Sequence, residues 1–304
     1  MNITRRRFAI GSVAGAASLA TPLFGGPAAA PKVSRPIPSS GEQLPLIGLG
    51  SWITFNVGDD RQLQDECAAV IAAFLSGGGR LIDSSPMYGS SQTTIGYGLR
   101  KQSSLELFSA DKVWTADTDG GAAQIERSRE AWGVPQFDLL QVHNLLAWEA
   151  HLPMLFKMKA DGKLRYVGIT TSHGRRHDDI EKIMRAHPID FLQITYNVLD
   201  REVEERILPL AQERRIAVII NRPFQRGALI RKLEGETLPP FAAEIGATSW
   251  AQFLLKFIIS HPAVTCAIPA TSRVDHVREN LAAAGGVLPD EALRQKMAAY
   301  VKDT

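Results

Sequence analysis

Ala217-Val218-Ile219-Ile220-Asn221 is an apolar run that closes on a polar residue. A strand with one wet face alternates apolar and polar side chains. A run that is apolar throughout belongs to a parallel strand covered on both faces.

Reading outward in both directions, seven more short runs of this kind appear: Leu46–Leu49, Arg80–Asp83, Lys112–Thr115, Leu139–His143, Arg165–Ile169, Phe191–Tyr196 and Val264–Ile268. Between them lie amphipathic stretches that predict helices at Asp65–Ser76, Ala122–Ala131, Asp178–Ala186, Glu202–Arg214 and Ser249–Ile259, with a last one at Asp290–Tyr300. In Ser249–Ile259, the helical spacing of Trp250, Phe253, Leu254, Phe257 and Ile258 predicts a core-facing stripe. Eight strands alternating with helices in one α/β chain predict a single (β/α)8 TIM barrel over residues 42–304. An open doubly wound sheet is the competing architecture. It would place a G-x-G-x-x-G turn after the first strand, whereas Gly48-Leu49-Gly50 continues into Ser51-Trp52.

The chain has 304 residues, 45% hydrophobic and 22% charged, with a formal net charge of +2. Acids and bases are interspersed and no basic stripe is present, which argues against a nucleic-acid partner. Cys67 and Cys266 are too few and too far apart for a disulfide framework, and their apolar surroundings predict buried free thiols. His173 and His177 stand four apart, but Gly174-Arg175-Arg176 between them reads as a cationic loop, and no metal site is expected there.

Residues 1–30 differ from the rest. Thr4-Arg5-Arg6-Arg7-Phe8 precedes the uncharged run Ala9–Leu23, and Ala28-Ala29-Ala30 offers a small-residue cleavage site. That order is a secretory signal, too short for a membrane span. The paired arginines ahead of Phe8 resemble a twin-arginine signal, which implies passage through the Tat translocase and a periplasmic or otherwise exported protein. Residues 31–41, rich in proline and serine, read as a linker.

Active sites of such barrels gather at the C-terminal strand ends. Those ends bring together Asp83, Tyr88 in the following loop, Lys112 and His143, then Thr170, Thr171, Gln193, Asn221, Arg222, Thr271, Ser272 and Arg273. Here a family resemblance emerges. Leu81-Ile82-Asp83-Ser84-Ser85-Pro86-Met87-Tyr88-Gly89, with Asp and Tyr five apart, resembles the corresponding aldo-keto reductase segment. Lys112-Val113-Trp114-Thr115 is similar to that family's lysine strand, and Leu139-Leu140-Gln141-Val142-His143-Asn144 to its histidine strand. Asp161–Gly168, Ile268–Arg273 and Arg278-Glu279-Asn280 complete the pattern in family order.

The resemblance implies reduction of an aldehyde, ketone or similar carbonyl by NADP(H), with NAD(H) as the alternative cofactor. The implied catalytic tetrad is Asp83, Tyr88, Lys112 and His143. Tyr88 would donate the proton, with Lys112 lowering its pKa and Asp83 holding the lysine. His143 would orient the substrate oxygen or relay the proton. A strand read instead through Thr115-Ala116-Asp117 would leave no lysine facing inward. Asp111 stands where the family usually has threonine, and Asn221 where it commonly has an aromatic ring that stacks on the nicotinamide.

The implied cofactor contacts are Gly50, Ser51, Thr170, Thr171, Gln193, Asn221, Arg222, Thr271, Ser272, Arg273, Glu279 and Asn280, with Arg273 on the 2′-phosphate. Trp52, Met87, Leu145, Trp148 and Phe224 are expected to bound the substrate pocket. The competing function is a low-turnover nicotinamide-binding or regulatory protein on the same fold, which a complete tetrad disfavours.

Overall fold

The computed structural model describes residues 33–103 and 106–304. The signal reading of residues 1–30 lies outside them. Eight parallel strands form one sheet in chain order: β3 (Leu49–Gly50), β4 (Leu81–Asp83), β5 (Phe108–Val113), β6 (Phe137–His143), β7 (Leu164–Thr170), β8 (Phe191–Thr195), β9 (Ala217–Asn221) and β10 (Cys266–Ala267). Parallel bridges from Ile47 to Ala267 and from Gly50 to Ala270 join the last strand to the first and close the barrel. Gly50 permits this closure, because a Cβ there would sit 2.8 Å from the Ile268 carbonyl oxygen.

Within the stretch expected to be a linker, β1 (Ser34–Pro36) pairs antiparallel with β2 (Gln43–Pro45), which lies just beyond it. Ile37 and Leu44 of this hairpin are fully buried in one cluster with Leu81, Phe108, Leu139, Phe191 and Ile219. The proline- and serine-rich composition concealed two apolar anchors that plug the bottom of the barrel.

Side chains alternate in and out along each strand. In β9, Ile219 belongs to the interior cluster while Val218 and Ile220 pack among the helices. That two-sided burial is why the run is apolar throughout. The same alternation faces Phe108, Ala110 and Lys112 of β5 inward, and turns Asp111 outward.

The surrounding helices include α1 (Arg61–Ser76), α2 (Ser91–Leu99), α3 (Gly121–Trp132), α4 (Trp148–Ala160), α5 (His177–Ala186), α6 (Ile207–Glu213), α7 (Ala228–Lys232), α8 (Trp250–Ile259), α9 (Val274–Ala282) and α10 (Glu291–Asp303). The predicted helix Glu202–Arg214 divides into a 3-10 turn at Glu202–Glu204 and α6. Helices α2 and α4 escaped the periodicity reading, since α2 carries Gly96 and Gly98 and α4 carries Pro153. Gly96 lets α2 approach α3 closely, its missing Cβ falling 1.9 Å from the Ala131 carbonyl oxygen. In α8, Phe253, Leu254, Phe257 and Ile258 are buried as expected. Trp250 is only partly buried and donates through Nε1 to the Glu236 carbonyl. Cys67 and Cys266 are buried free thiols, both pushed up in pKa chiefly by burial, Cys67 to about 11. Among the described residues, no helix is long and apolar enough to cross a membrane.

Candidate active site

β5 begins four residues earlier than expected, and Lys112 is its penultimate residue. Lys112 pairs with Gln141 in register and faces the barrel axis. Its Nζ donates to Asp83 Oδ2 at 2.6 Å and to the Ser84 carbonyl at 2.6 Å, and its side chain is fully buried. The other Asp83 oxygen, Oδ1, accepts from Gln193 Nε2 at 2.8 Å and Gln141 Nε2 at 3.1 Å. A buried carboxylate is tolerable only when paired and hydrogen-bonded, and this one is both. Burial opposes the Lys112 charge, yet Asp83 and the phenol of Tyr88 outweigh it and raise the lysine above its ordinary pKa.

Tyr88 lies in the loop after β4 with its ring over this pair, the Lys112 Nζ being 5.3 Å from the ring centroid. Its phenol is raised, not lowered as the resemblance implied. Burial is the largest cause, the Lys112 ammonium pulls the other way, and Asp83 and Asp111 add to the rise. The two carboxylates thus act against the lysine's pull on the phenol. Tyr88 is therefore a protonated acid at neutral pH.

His143 ends β6 edge-on to Tyr88, their ring centroids 5.7 Å apart. Its Nδ1 is 2.7 Å from Ser85 Oγ, which itself accepts from Met87 N at 3.2 Å. With the serine hydroxyl donating to Nδ1, the neutral ring carries its proton on Nε2, facing away from Ser85. Burial, then Lys112, lowers His143 to about 3. It is a neutral donor, which favours orienting the substrate oxygen over relaying a proton as an imidazolium.

A cavity of about 1010 Å³ opens above these groups. Asp83, Tyr88 and His143 line it from below, while Lys112 is sealed beneath them. Of the expected cofactor residues, Gly50, Ser51, Thr170, Thr171, Gln193, Asn221, Arg222, Thr271, Glu279 and Asn280 line its wall. Ser272 and Arg273 do not, and Arg273 instead pairs with Asp275 through Nε at 3.0 Å on an exposed surface. Trp52, Met87 and Phe224 line the cavity as expected. Trp148 does not. It opens α4 and packs edge-to-face on His187, 5.7 Å between centroids. Leu145 is buried and does not line the cavity either.

Gln193 is held by Asp83, and Asn221 bridges the neighbouring strands, accepting from Thr195 Oγ1 at 2.7 Å and donating to the Thr171 carbonyl at 2.9 Å. The loops carry the backbone strain. Ile53, Asn144, Leu145, Ala147, His173, Arg176, Arg222, Gln225 and Arg226 all have positive φ, a conformation that non-glycine residues adopt mainly where surrounding structure enforces it.

Several wall residues were not anticipated. Arg226 lies over the Trp52 ring at 4.2 Å. Arg175, His276, Ile230 and Trp250 also line the cavity. Arginines are common on any surface, and only the turn geometry brings these to the mouth. Arg222 contacts His173 through Nη1, while its Nε is buried without a partner. Thr171 Oγ1 is likewise buried and unpartnered. Unpaired polar atoms of this kind fit a polar ligand that completes them. The wall could hold a nicotinamide dinucleotide, for which Thr171 would offer a hydroxyl to a carboxamide and Arg222 and Arg226 would offer cations to phosphate.

The model of the Aldo/keto reductase family matches residues 46–300. The chain belongs to that family, whose members are oxidoreductases that act on carbonyls with nicotinamide cofactors. It is 27% identical over 249 residues to methylglyoxal reductase YeaE of Escherichia coli, covering 79% of this chain and 85% of that one. Among solved structures, an aldo/keto reductase from Klebsiella pneumoniae in complex with NADP and acetate superposes with a TM-score of 0.72 at 25% identity, covering 86% of this chain and 93% of that one. The glycerol dehydrogenase of Gluconobacter oxydans shares the fold with a TM-score of 0.75 at 20% identity, covering 88% and 94%.

Proposed function

We propose that this protein reduces an aldehyde or ketone with NADPH, using Tyr88 as the proton donor. The observation that carries this reading is the buried Lys112–Asp83 pair directly under the Tyr88 ring, on the floor of the cavity that His143 also lines. When bound, the nicotinamide supplies the hydride. The chain's own residues manage the charge that appears on the substrate oxygen. Nε2–H of His143 holds that oxygen in place, and the Tyr88 hydroxyl delivers the proton. Lys112 stabilises the phenolate left behind, and Asp83 keeps the ammonium from moving. The NADP-bound relative from Klebsiella pneumoniae and the methylglyoxal reductase of Escherichia coli support NADPH and short oxoaldehydes as the first cofactor and substrates to test. Oxidation of NADPH by the purified protein with a panel of carbonyls decides it. Cofactor that binds and is never discharged by any carbonyl would favour a binding role.

The reading extends to location. Arg5-Arg6 with Phe8, ahead of a weakly hydrophobic Ala/Gly-rich run, supports export of the folded barrel by the twin-arginine route. A folded protein can acquire its cofactor in the cytoplasm and carry it across. Replacing Arg5 and Arg6 by lysine should leave the precursor in the cytoplasm on fractionation. Delivery of the double variant to the periplasm would overturn the twin-arginine reading, and retention of the wild type inside would overturn export itself.

A further inference from the structure

Five arginines line the cavity, Arg175, Arg176, Arg222, Arg226 and Arg231, against two carboxylates, Asp83 and Glu279. Asp83 is taken up by Lys112 beneath it, and Arg176 by Asp179, to which its Nε donates at 2.8 Å. Among the described residues the other four arginines form no salt bridge. Asp200, on the loop after β8, does not pair with them. Its Oδ2 accepts from Asn197 Nδ2 at 2.8 Å and Gln225 Nε2 at 2.9 Å. The wall therefore carries more positive charge than it compensates.

Contacts join these cations into one arc. Arg222 Nη1 meets His173 Nε2, which ties the loop after β9 to the loop after β7. Arg226, on the first of these loops, lies over the Trp52 ring at 4.2 Å and ties it to the loop after β3. Both ends of the arc are fastened to strand ends that carry the tetrad. Arg176 Nη1 donates to the carbonyls of Asn144 at 3.2 Å and Leu145 at 3.1 Å, directly after His143. Ser51 Oγ, directly before Trp52, donates to the Asp83 carbonyl at 2.9 Å. Positive φ at His173, Arg176, Arg222 and Arg226 marks backbone that its surroundings hold in place. The imidazole of His173 registers the surplus charge: burial first, then Arg222, Arg226 and Arg175, lower its pKa.

Cofactor phosphates would draw on Arg222 and Arg226, which share the loop after β9. Arg175 stands on the other loop, next to the residue fastened beside His143. It is exposed, and no hydrogen bond or ion pair among the described residues engages it. On the far side of the barrel from β7, the loops after β3 and β4 add the exposed apolar side chains of Ile53 and Met87 to the cavity wall. We propose that the carbonyl substrate also carries a carboxylate, which Arg175 holds at the rim while the carbonyl reaches Tyr88 and His143 on the floor. The proposal rests on the carbonyl-reductase reading and names its substrate class, oxo or formyl carboxylic acids with an apolar body. A guanidinium presents a planar fork that matches a carboxylate. The surplus charge of the arc also concentrates anions at the mouth.

The test measures kcat/KM with NADPH for meta- and para-formylbenzoate, each against its neutral carboxamide. Wild type, Arg175→Gln and Arg175→Lys are compared. NADPH affinity is titrated for each protein, and calorimetry follows binding of the same compounds to protein saturated with NADP+. Arg175 is exposed and has no positive φ, so both variants should keep the fold, which thermal melting verifies.

Wild type should favour the carboxylates by about tenfold or more in kcat/KM and in affinity, less so as salt is added. Arg175→Gln should lose most of that preference, and Arg175→Lys should keep part of it. Equal use of carboxylate and carboxamide by the wild type would overturn the proposal, as would an undiminished preference in Arg175→Gln. Weakened NADPH binding with an unmoved carboxylate preference would place Arg175 on the cofactor and overturn it too. A wild type that reduces none of these compounds, yet binds the carboxylates through Arg175, would remove the reductase reading and leave the anion subsite standing.

Discussion

Lys112 Nζ stands 2.6 Å from Asp83 Oδ2, and neither side chain is more than 3% exposed. Two residues on adjacent strands therefore form an ion pair inside the barrel, beneath the Tyr88 phenol that lines the cavity. Each member is stable there because of the other. Lys112→Met would leave Asp83 buried without its cation, a situation that costs roughly 3–5 kcal/mol. We expect a markedly lower melting temperature together with loss of turnover. A fully active, undiminished Lys112→Met protein would contradict the assignment.

Removing only the proton donor should have a narrower effect. Tyr88→Phe keeps the ring over Lys112 and deletes the hydroxyl. Carbonyl reduction should fall by a factor of about 100 or more, the scale of general acid catalysis, while cofactor titration by fluorescence gives nearly unchanged affinity.

His143 and Asp111 make opposite predictions for stability against pH. For His143 the folded pKa, about 3, lies below the ordinary value of 6.5. The unfolded chain binds this proton first as pH falls, so the stability it contributes is present above about 6.5 and lost toward 3. His143→Gln should soften the acid-side loss seen in urea unfolding at pH 7 and pH 4, by up to about 3 kcal/mol. Asp111, raised to about 7 from 3.8, works the other way. Its contribution is full below pH 3.8 and is lost as pH rises through 7, so Asp111→Asn should gain stability relative to wild type only toward neutral and alkaline pH. Parallel stability curves for wild type and variants would refute both directions.

Arg273 and Asp275 set a prediction about cofactor choice. The guanidinium is paired with a carboxylate two residues further along rather than facing the cavity. Arg273→Ala should weaken NADPH by about tenfold or more and leave NADH nearly unchanged, if the arginine turns to the 2′-phosphate on binding. Asp275→Asn, which frees that arginine, should shift preference further toward NADPH. Equal weakening of both cofactors by Arg273→Ala would place the residue elsewhere.

Much of this was legible in the residues themselves. The apolar strand Ala217–Asn221 is buried on both faces, so its periodicity reported its place directly. Asp83, Tyr88, Lys112 and His143 were found because strand ends and family order pointed to the same four. The hairpin at Ser34–Pro45 was missed because two buried side chains, Ile37 and Leu44, are too few to make a pattern. Arg226, Arg175 and His276 were missed because loop geometry alone turns them toward the cavity. Trp148 was misplaced because a sequence cannot say which side of its helix faces the mouth. Asp111 was visible only as a replacement for threonine. Its burial depends on α2 packing closely on α3 at Gly96, a contact between segments that no local pattern encodes.

The central claim is that Tyr88, over the buried Lys112–Asp83 pair, protonates a carbonyl as it is reduced. The most direct measurement follows NADPH absorbance in purified wild type and Tyr88→Phe proteins presented with methylglyoxal and a panel of simple aldehydes and ketones. The account predicts carbonyl-dependent oxidation of NADPH by the wild type and its near-complete loss in Tyr88→Phe despite retained cofactor binding. Equal oxidation by both proteins would contradict it.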